Sequence, residues 1–238
     1  MKVVLTVVRY PTLFAWAGIK SMALFRPTLS RNARLSFYKL LGSGKNGSFD
    51  AVPDLKQWAI IATIKDDAYL PATNPAEVYG NFIMGWWKFF KAKQWTLVLE
   101  PLEGHGLWDK KKAFGQLPKT SEYDGPIAVL TRATIRPSRL RSFWRNVGIA
   151  AAPLASATGF IHSIGIGEVP WIKQATFSIW QNKQSMKDYA YKMKDHNEVI
   201  RKTRKENWYS EEMFVRFKVV AASGDLPQSL QQFASSPG

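Results

Sequence analysis

The chain contains no cysteine, which excludes disulfides, thiolate nucleophiles, cysteine-ligated iron–sulfur clusters and a thiolate-ligated haem. Histidine is almost as scarce. His105, His162 and His196 are the whole supply, too few for a His-rich metal cage but enough for a site built on one imidazole. No run approaches the roughly 20 apolar residues that a membrane-spanning helix requires, and the longest small, apolar stretch, 149–161, is interrupted by Pro153. The opening MKVVLTVVRYP has the outline of a leader, but its apolar run stops at Arg9 and Pro11 follows, so a first strand is the better reading. These absences lead to the expectation of a cytoplasmic protein, with contact at the inner face of a membrane compatible with them. No G-x-G-x-x-G turn opens into a helix, which disfavours a dinucleotide-binding fold, and the one G-S-G segment lacks the nucleophile-elbow pattern.

What is present is a globular composition: 238 residues, 46% hydrophobic, with 10 Trp and 14 Phe. So many aromatics suit a large apolar pocket or a greasy contact surface, though core packing also absorbs them. Lys and Arg number 33 against 18 Asp and Glu, a net charge of +15. Such a field attracts an anionic membrane surface, an acidic partner such as a ferredoxin, or nucleic acid. Nucleic acid ranks last, because no arginine-rich tail, zinc spacing or RNA-reading aromatic motif accompanies the charge.

Taken in order, β-branched and turn residues predict strands over 3–9, 33–41, 57–65 and 94–100, with helices over 12–25 and 75–90. After a Gly-, Lys- and Pro-rich stretch the order returns: strands over 127–136, 159–166, 174–180 and 213–221, with helices over 138–151 and from 184 onward. VLT at Val4 to Thr6 recurs at Val129 to Thr131, and Lys56-Gln57 opens one strand as Lys173-Gln174 opens another. The expectation is therefore an α+β fold of two tandem ferredoxin-like (βαββαβ) units forming an α/β barrel. The units would be residues 1–101 and 126–222, joined by a linker, 102–125, and followed by a polar, frayed tail, 223–238.

The stretch QSMKDYAYKMKDHNEVIRKTRKENWYSEEMFVRF, 184–217, carries the sharpest pattern. Met186, Tyr189, Met193, His196, Ile200 and Thr203 recur at spacings of three and four, which places them on one face of a helix. His196 is in the middle of that apolar stripe. An imidazole there is either a satisfied core residue or a ligand, and a haem lying on the Met/Tyr surface is the ligand reading. His162, alternating with Phe160 and Ile164, competes for the same iron, whereas His105 falls in the Gly-rich stretch and reads as solvated. Arg132 interrupts an apolar strand. It either makes a structural salt bridge with a residue such as Glu168 or stands as a polar group over a cofactor. Phe177, Glu168, Trp171 and Trp180 are candidate pocket walls. Gly42-Ser43-Gly44-Lys45 is either an anion cradle or a plain turn. FIMGWWKFFKAKQW, 82–95, reads either as an interfacial helix or as a core helix with snorkelling lysines.

FYKLLGSGKNGSF, PIAVLTRATIR, IGIGEVPWIKQATFSIW and the run from His196 through NWYSEEMFVRF resemble the spheroidene monooxygenase family, the acyclic-carotenoid 2-ketolases. The resemblance extends from the first strand to about Val220 and is strongest in the C-terminal half. It implies an oxidoreductase of the dimeric α/β-barrel superfamily that contains haem b, takes electrons from an external donor such as a ferredoxin, and converts C2 of a linear carotenoid to a hydroxyl and then a ketone with dioxygen. Chlorite dismutase and dye-decolourising peroxidase share that superfamily, and in them a helix His holds the haem. By that analogy His196 is the axial ligand, with Met193, Tyr189, Ile200 and Phe177 against the macrocycle and Arg132 as the catalytic polar group. A homo-oligomer is compatible with this reading. A non-enzymatic haem-binding protein and a different or cofactor-free barrel enzyme on a small, aldoxime-like substrate are the alternatives.

Overall fold

The structure is a computed structural model that describes residues 1–45, 50–65, 75–151, 154–192 and 194–234, with side chains described throughout these except at 75, 76, 147–151, 155, 191, 192, 194–198 and 200. The chain divides into two compact units. The first comprises 1–43, 54–101 and 219–238, the second 44–53 and 102–218. Residues 102–125, expected as a linker, are thus part of the second unit. The five strand pairings registered among the described residues are antiparallel, and with the helices between strands the expected α+β class is what the structure shows.

In the first unit β1 (Lys2–Arg9) is followed by α1 (Ala15–Ser30), β2 (Leu35–Gly44), β3 (Pro53–Ile64), α2 (Pro75–Tyr79), α3 (Asn81–Phe89) and β4 (Lys93–Gly106). The strand order is β4-β1-β3-β2. All of Val3 to Val8 are buried, so both faces of β1 are covered. Val4, Val8, Ile60 and Ala62 face the helices and pack with Phe25, Leu29, Tyr79, Ile83 and Trp87. Gly18 permits the close approach of α1 to β3, since a Cβ there would lie 2.2 Å from Trp58 Nε1.

Two expectations are corrected here. The helix expected to end before Pro27 runs on to Ser30 with Pro27 inside it, because burying Phe25 and Leu29 on either side offsets the lost amide donor. The single helix expected over 75–90 is two, divided at Gly80, whose φ of 84° no regular helix accommodates.

The second unit repeats the order: β5 (Ile127–Ile135), α4 (Leu140–Ala151), β6 (Phe160–Val169), β7 (Lys173–Trp180), α5 (Lys183–Lys192), α6 (Lys194–Glu206) and β8 (Tyr209–Gly224). Its strand order is β8-β5-β7-β6. Where one helix was expected from 184 across His196, the structure has α5 and α6. Their described apolar residues serve different clusters. Met186 and Tyr189 pack with Ile127, Val129 and Trp180, while Val199 packs with Ile135, Phe143 and Trp208. The tail is corrected too. Leu230 is fully buried, the Gln94 amide donates to Asp225 at 3.1 Å, and Ala222 bridges to Ala234, so residues as far as 234 belong to the first unit's packing.

Candidate functional site

The helix-facing side of the second sheet is built from alternate residues of its strands. One row runs Gly165, Thr176, Thr131, Phe214 across β6, β7, β5 and β8. The next runs Ser163, Ser178, Val129, Arg216. Along β7 the helix-facing Gln174, Thr176 and Ser178 are only half-buried, whereas Ala175, Phe177 and Ile179 on the other face are buried. Thr131 goes further. It is exposed, although β7 flanks it on one side and β8 on the other. The floor that these rows form is therefore open at Thr131, with half-buried Thr176 and Ser178 beside it, between the described α5 cluster and the described cluster joining α4 and α6.

The walls are aromatic. Tyr189 tilts against Trp180 with ring centroids 5.2 Å apart, and burial pushes its phenol up to about 12. At the other end Phe143 makes edge contacts with Trp208 and Tyr209, at 5.9 Å and 6.2 Å, and burial likewise raises the Tyr209 phenol to about 12. Phe214 closes the floor on the β8 side, with Arg216 over its ring at 4.8 Å and His105 stacked on it at 5.9 Å. His105 is in β4 and also lines a cleft of about 340 Å³ with Lys112, Phe114 and Gln116.

Arg132 and Phe177 are on the opposite face. Arg132 is in register with Ala175 and Met213, and Phe177 with Leu130 and Ile164. Arg132 is 1% exposed and anchors a charge network. It bonds Glu211, reaches Asp109 at 3.2 Å and Glu168 at 3.5 Å, and lies over the Trp108 ring at 5.6 Å. Lys173 reaches Asp109 at 2.7 Å, and Trp108 Nε1 donates to Glu168 at 2.6 Å. The salt bridge to Glu168 that the sequence raised for Arg132 is present. Burial by itself would raise the Glu211 carboxyl, but the amides of Lys110 and Asp109 and the Arg132 guanidinium outweigh it and hold it below its usual range. Among the described residues only Arg132 Nε in this cluster is buried without a hydrogen-bond partner. Glu103, a carboxylate that is itself buried, bonds Arg216, and accepts from Lys183 at 2.8 Å and from the Ser121 amide.

The residues singled out from sequence are thus divided. Tyr189 is on the helix side of the sheet, in the cluster with Trp180, while Arg132 and Phe177 are across the sheet from it. Met193 lies outside the described residues; His196 and Ile200 fall in α6, but their side chains lie outside the described ones. His162 is opposite Ile179 next to an irregularity in β6, and burial lowers its pKa. Gly42 to Gly44, weighed as an anion cradle, are the end of β2. Ser43 accepts from Gln57 at 3.1 Å, and the Lys45 amide donates to Val52 at 2.8 Å, which is hairpin bonding; Asn46 and Gly47 are outside the described residues. Sequence reading missed Thr131 and Phe214, although the repeated VLT pointed at the first.

No family model matches the chain. Two crystal structures of aldoxime dehydratase, one of them in complex with butyraldoxime, align over 92% of this chain and 80% and 79% of theirs, with TM-scores of 0.60 and 0.59 at 10% and 9% identity, a likeness that shows the fold alone. Among characterised sequences, the spheroidene monooxygenase of Rhodobacter capsulatus is 33% identical over 209 residues, 87% of this chain and 84% of that one. Those of Cereibacter sphaeroides and Rubrivivax gelatinosus are each 32% identical, over 80% and 79% of this chain and 58% and 70% of theirs. The chain therefore belongs to the spheroidene monooxygenase family and is an oxidoreductase.

Proposed function

We propose that this enzyme is a haem-dependent monooxygenase that hydroxylates C2 of a linear carotenoid and then oxidises the same carbon to a ketone, with dioxygen and an external electron donor such as a ferredoxin. Each round takes two electrons from the donor and leaves one oxygen atom on the substrate and the other in water. A second hydroxylation of the same carbon gives the hydrate of the ketone, which loses water. The carotenoid assignment rests on the names of the relatives, and the haem on the resemblance together with one observation, the open floor at Thr131.

That floor is a fit for a flat, largely apolar group. Exposed Thr131 and half-buried Thr176 leave room above the strands, and Tyr189 and Trp180 supply an apolar wall. His196, three residues before Val199 on α6, would hold the iron through its imidazole, with Tyr189, Met193 and Ile200 as the neighbouring surface. Bound there, haem supplies the binding and reduction of dioxygen. The chain's own part is to keep that region dry and to hold the polyene end in place. Arg132 enters this reading as the organiser of the Trp108–Lys111 turn, and Phe177 as support beneath the floor. The shared strand order of the two units, with the first strand central and the last at its side, supports reading them as tandem ferredoxin-like repeats of the α/β-barrel superfamily.

The test is a visible spectrum of the purified, haem-supplemented protein, followed by turnover of a linear carotenoid under dioxygen with a ferredoxin reductant. A strong Soret band that collapses in His196→Ala, together with dioxygen-dependent ketone formation at C2 lost at least a hundredfold in the same variant, is expected. A colourless protein that still forms the ketone would overturn the haem, and a coloured protein inert towards carotenoids would overturn the substrate.

A further inference from the structure

The first unit has a surface that neither its own packing nor the chemistry above uses. On α1 and the turn before it, Leu13 is 75% exposed, and Trp16 and Ile19 each 47%. On α3, Phe82 is 49% and Phe89 75% exposed. These side chains are joined beneath by rings. Phe90 lies 5.3 Å from Trp16, 4.9 Å from Phe89 and 4.7 Å from Trp86, and Trp86 lies 6.3 Å from Phe82. The two helices thus present one apolar patch, while their inner faces, Phe25, Ile83 and Trp87, are already buried in the core. An exposed patch of large side chains costs solubility unless something covers it.

Its charge says what that is. Segment 11–34 carries Lys20, Arg26, Arg31 and Arg34, segment 80–93 carries Lys88, Lys91 and Lys93, and neither contains an Asp or Glu. Lys20 lies over the Trp16 ring at 5.1 Å, an ammonium held beside an aromatic that is itself half in water. A second copy of the chain docking through the same patch would bring like charges face to face, because a two-fold contact pairs a surface with itself. An anionic bilayer meets both requirements. Its phosphates pair with the lysines and arginines, each contributing a short-ranged attraction, while Leu13, Trp16, Phe82 and Phe89 enter the acyl boundary. We propose that the α1–α3 face of the first unit docks the protein onto the surface of an anionic lipid bilayer, without crossing it. No helix among the described residues is long and apolar enough to span a membrane.

Flotation of the intact protein with vesicles tests this. Vesicles of pure phosphatidylcholine are compared with vesicles containing phosphatidylglycerol, at low and high salt. The expected result is at least tenfold stronger binding to the phosphatidylglycerol vesicles, weakened by salt, with a blue shift of tryptophan emission. Leu13→Glu with Phe89→Glu should abolish binding, and Lys20→Glu with Lys88→Glu should remove the preference for anionic lipid. Lys91 is left out because its φ of 51° makes it a backbone position in its own right. All four chosen side chains are exposed, so circular dichroism and the melting temperature should stay at wild-type values. Equal binding to both vesicles, or binding indifferent to these substitutions, overturns the proposal. So does a lipid-free dimer that the Leu13 and Phe89 changes dissociate, which would assign the patch to a second copy.

Discussion

Thr6 and Thr131 occupy the same place in the two units, the third residue of a repeated Val-Leu-Thr in the central strand, and they have opposite surroundings. Thr6 is fully buried. Its hydroxyl is shared with Thr96 at 2.8 Å and receives a hydrogen bond from Tyr79 of α2 at 2.9 Å, and burial raises the Tyr79 phenol. Thr131 is exposed, next to half-buried Thr176 and Phe214. In the first unit one continuous cluster joins β1 and β3 to α1, α2 and α3. In the second, the described side chains form two smaller clusters towards the ends of the helical layer, with Thr131 exposed between them. Two units alike in strand order thus differ over their central strands, one packed over Thr6 and the other exposed at Thr131. The cost of opening is modest because a four-stranded sheet keeps its ladder bonds whether or not its face is covered. Covering that face contributes burial only, roughly 25 cal/mol per Å² of apolar area.

Putting the same large side chain at both positions is the strongest way to break this comparison. Thr6→Phe should cost about 4 kcal/mol, from overpacking and from stranding the Tyr79 and Thr96 hydroxyls. Thr131→Phe should change stability by less than about 1 kcal/mol, as expected for an exposed site. If the proposed function holds, it should nevertheless abolish haem uptake and carotenoid turnover by filling the floor. Urea denaturation and a Soret titration of both variants decide it, and equal destabilisation would mean that the two positions are alike after all.

A smaller effect sharpens the contrast in what holds each unit. Arg132→Met in the second unit leaves Glu211, Asp109 and Glu168 facing one another. The cost should be about 2 kcal/mol, below that of a fully buried pair because these carboxylates retain 20%, 33% and 13% exposure and water takes up part of the loss. Charge repulsion would then loosen the Trp108–Lys111 turn, visible as faster amide exchange at Lys111, whose amide donates to the Trp108 carbonyl at 3.1 Å.

The smallest expected effect is a pH dependence. The Glu211 carboxyl is held low in the folded chain, so at acidic pH the unfolded chain binds the proton more readily than the folded one does. Its contribution is complete above the unfolded carboxylate range, near pH 4.3, and is lost as pH falls through the lower folded value. Urea midpoints of wild type and Glu211→Gln should therefore converge between pH 6 and pH 3. Acid should raise amide exchange in β5 before β1, because the first unit's helix face is held by apolar packing. Simultaneous loosening would erase the distinction.

Much of this was written in the chain itself. Apolar, β-branched runs bounded by turn residues located all eight strands, with ends off by at most six residues, because such side chains suit an extended, pleated backbone whatever surrounds it. The absence of cysteine, the scarcity of histidine, the family resemblance and the Val-Leu-Thr repeat also needed no coordinates. Three things did. Pro27 stayed inside α1 because Leu29 found a core to enter, and the helix expected across His196 became α5 and α6 because its two ends pack on different clusters. Arg132, which interrupts an apolar strand, and Tyr189, from the apolar helix stripe, ended on opposite sides of the sheet, since parity along β5 fixes the face of Arg132 while only pairing and packing say which face meets the helices. Sequence determines the local period and the chemistry each residue can offer. Which equivalent position is sealed, like Thr6, and which is left open, like Thr131, was decided by long-range packing, because burial depends on residues that meet only when the chain has folded.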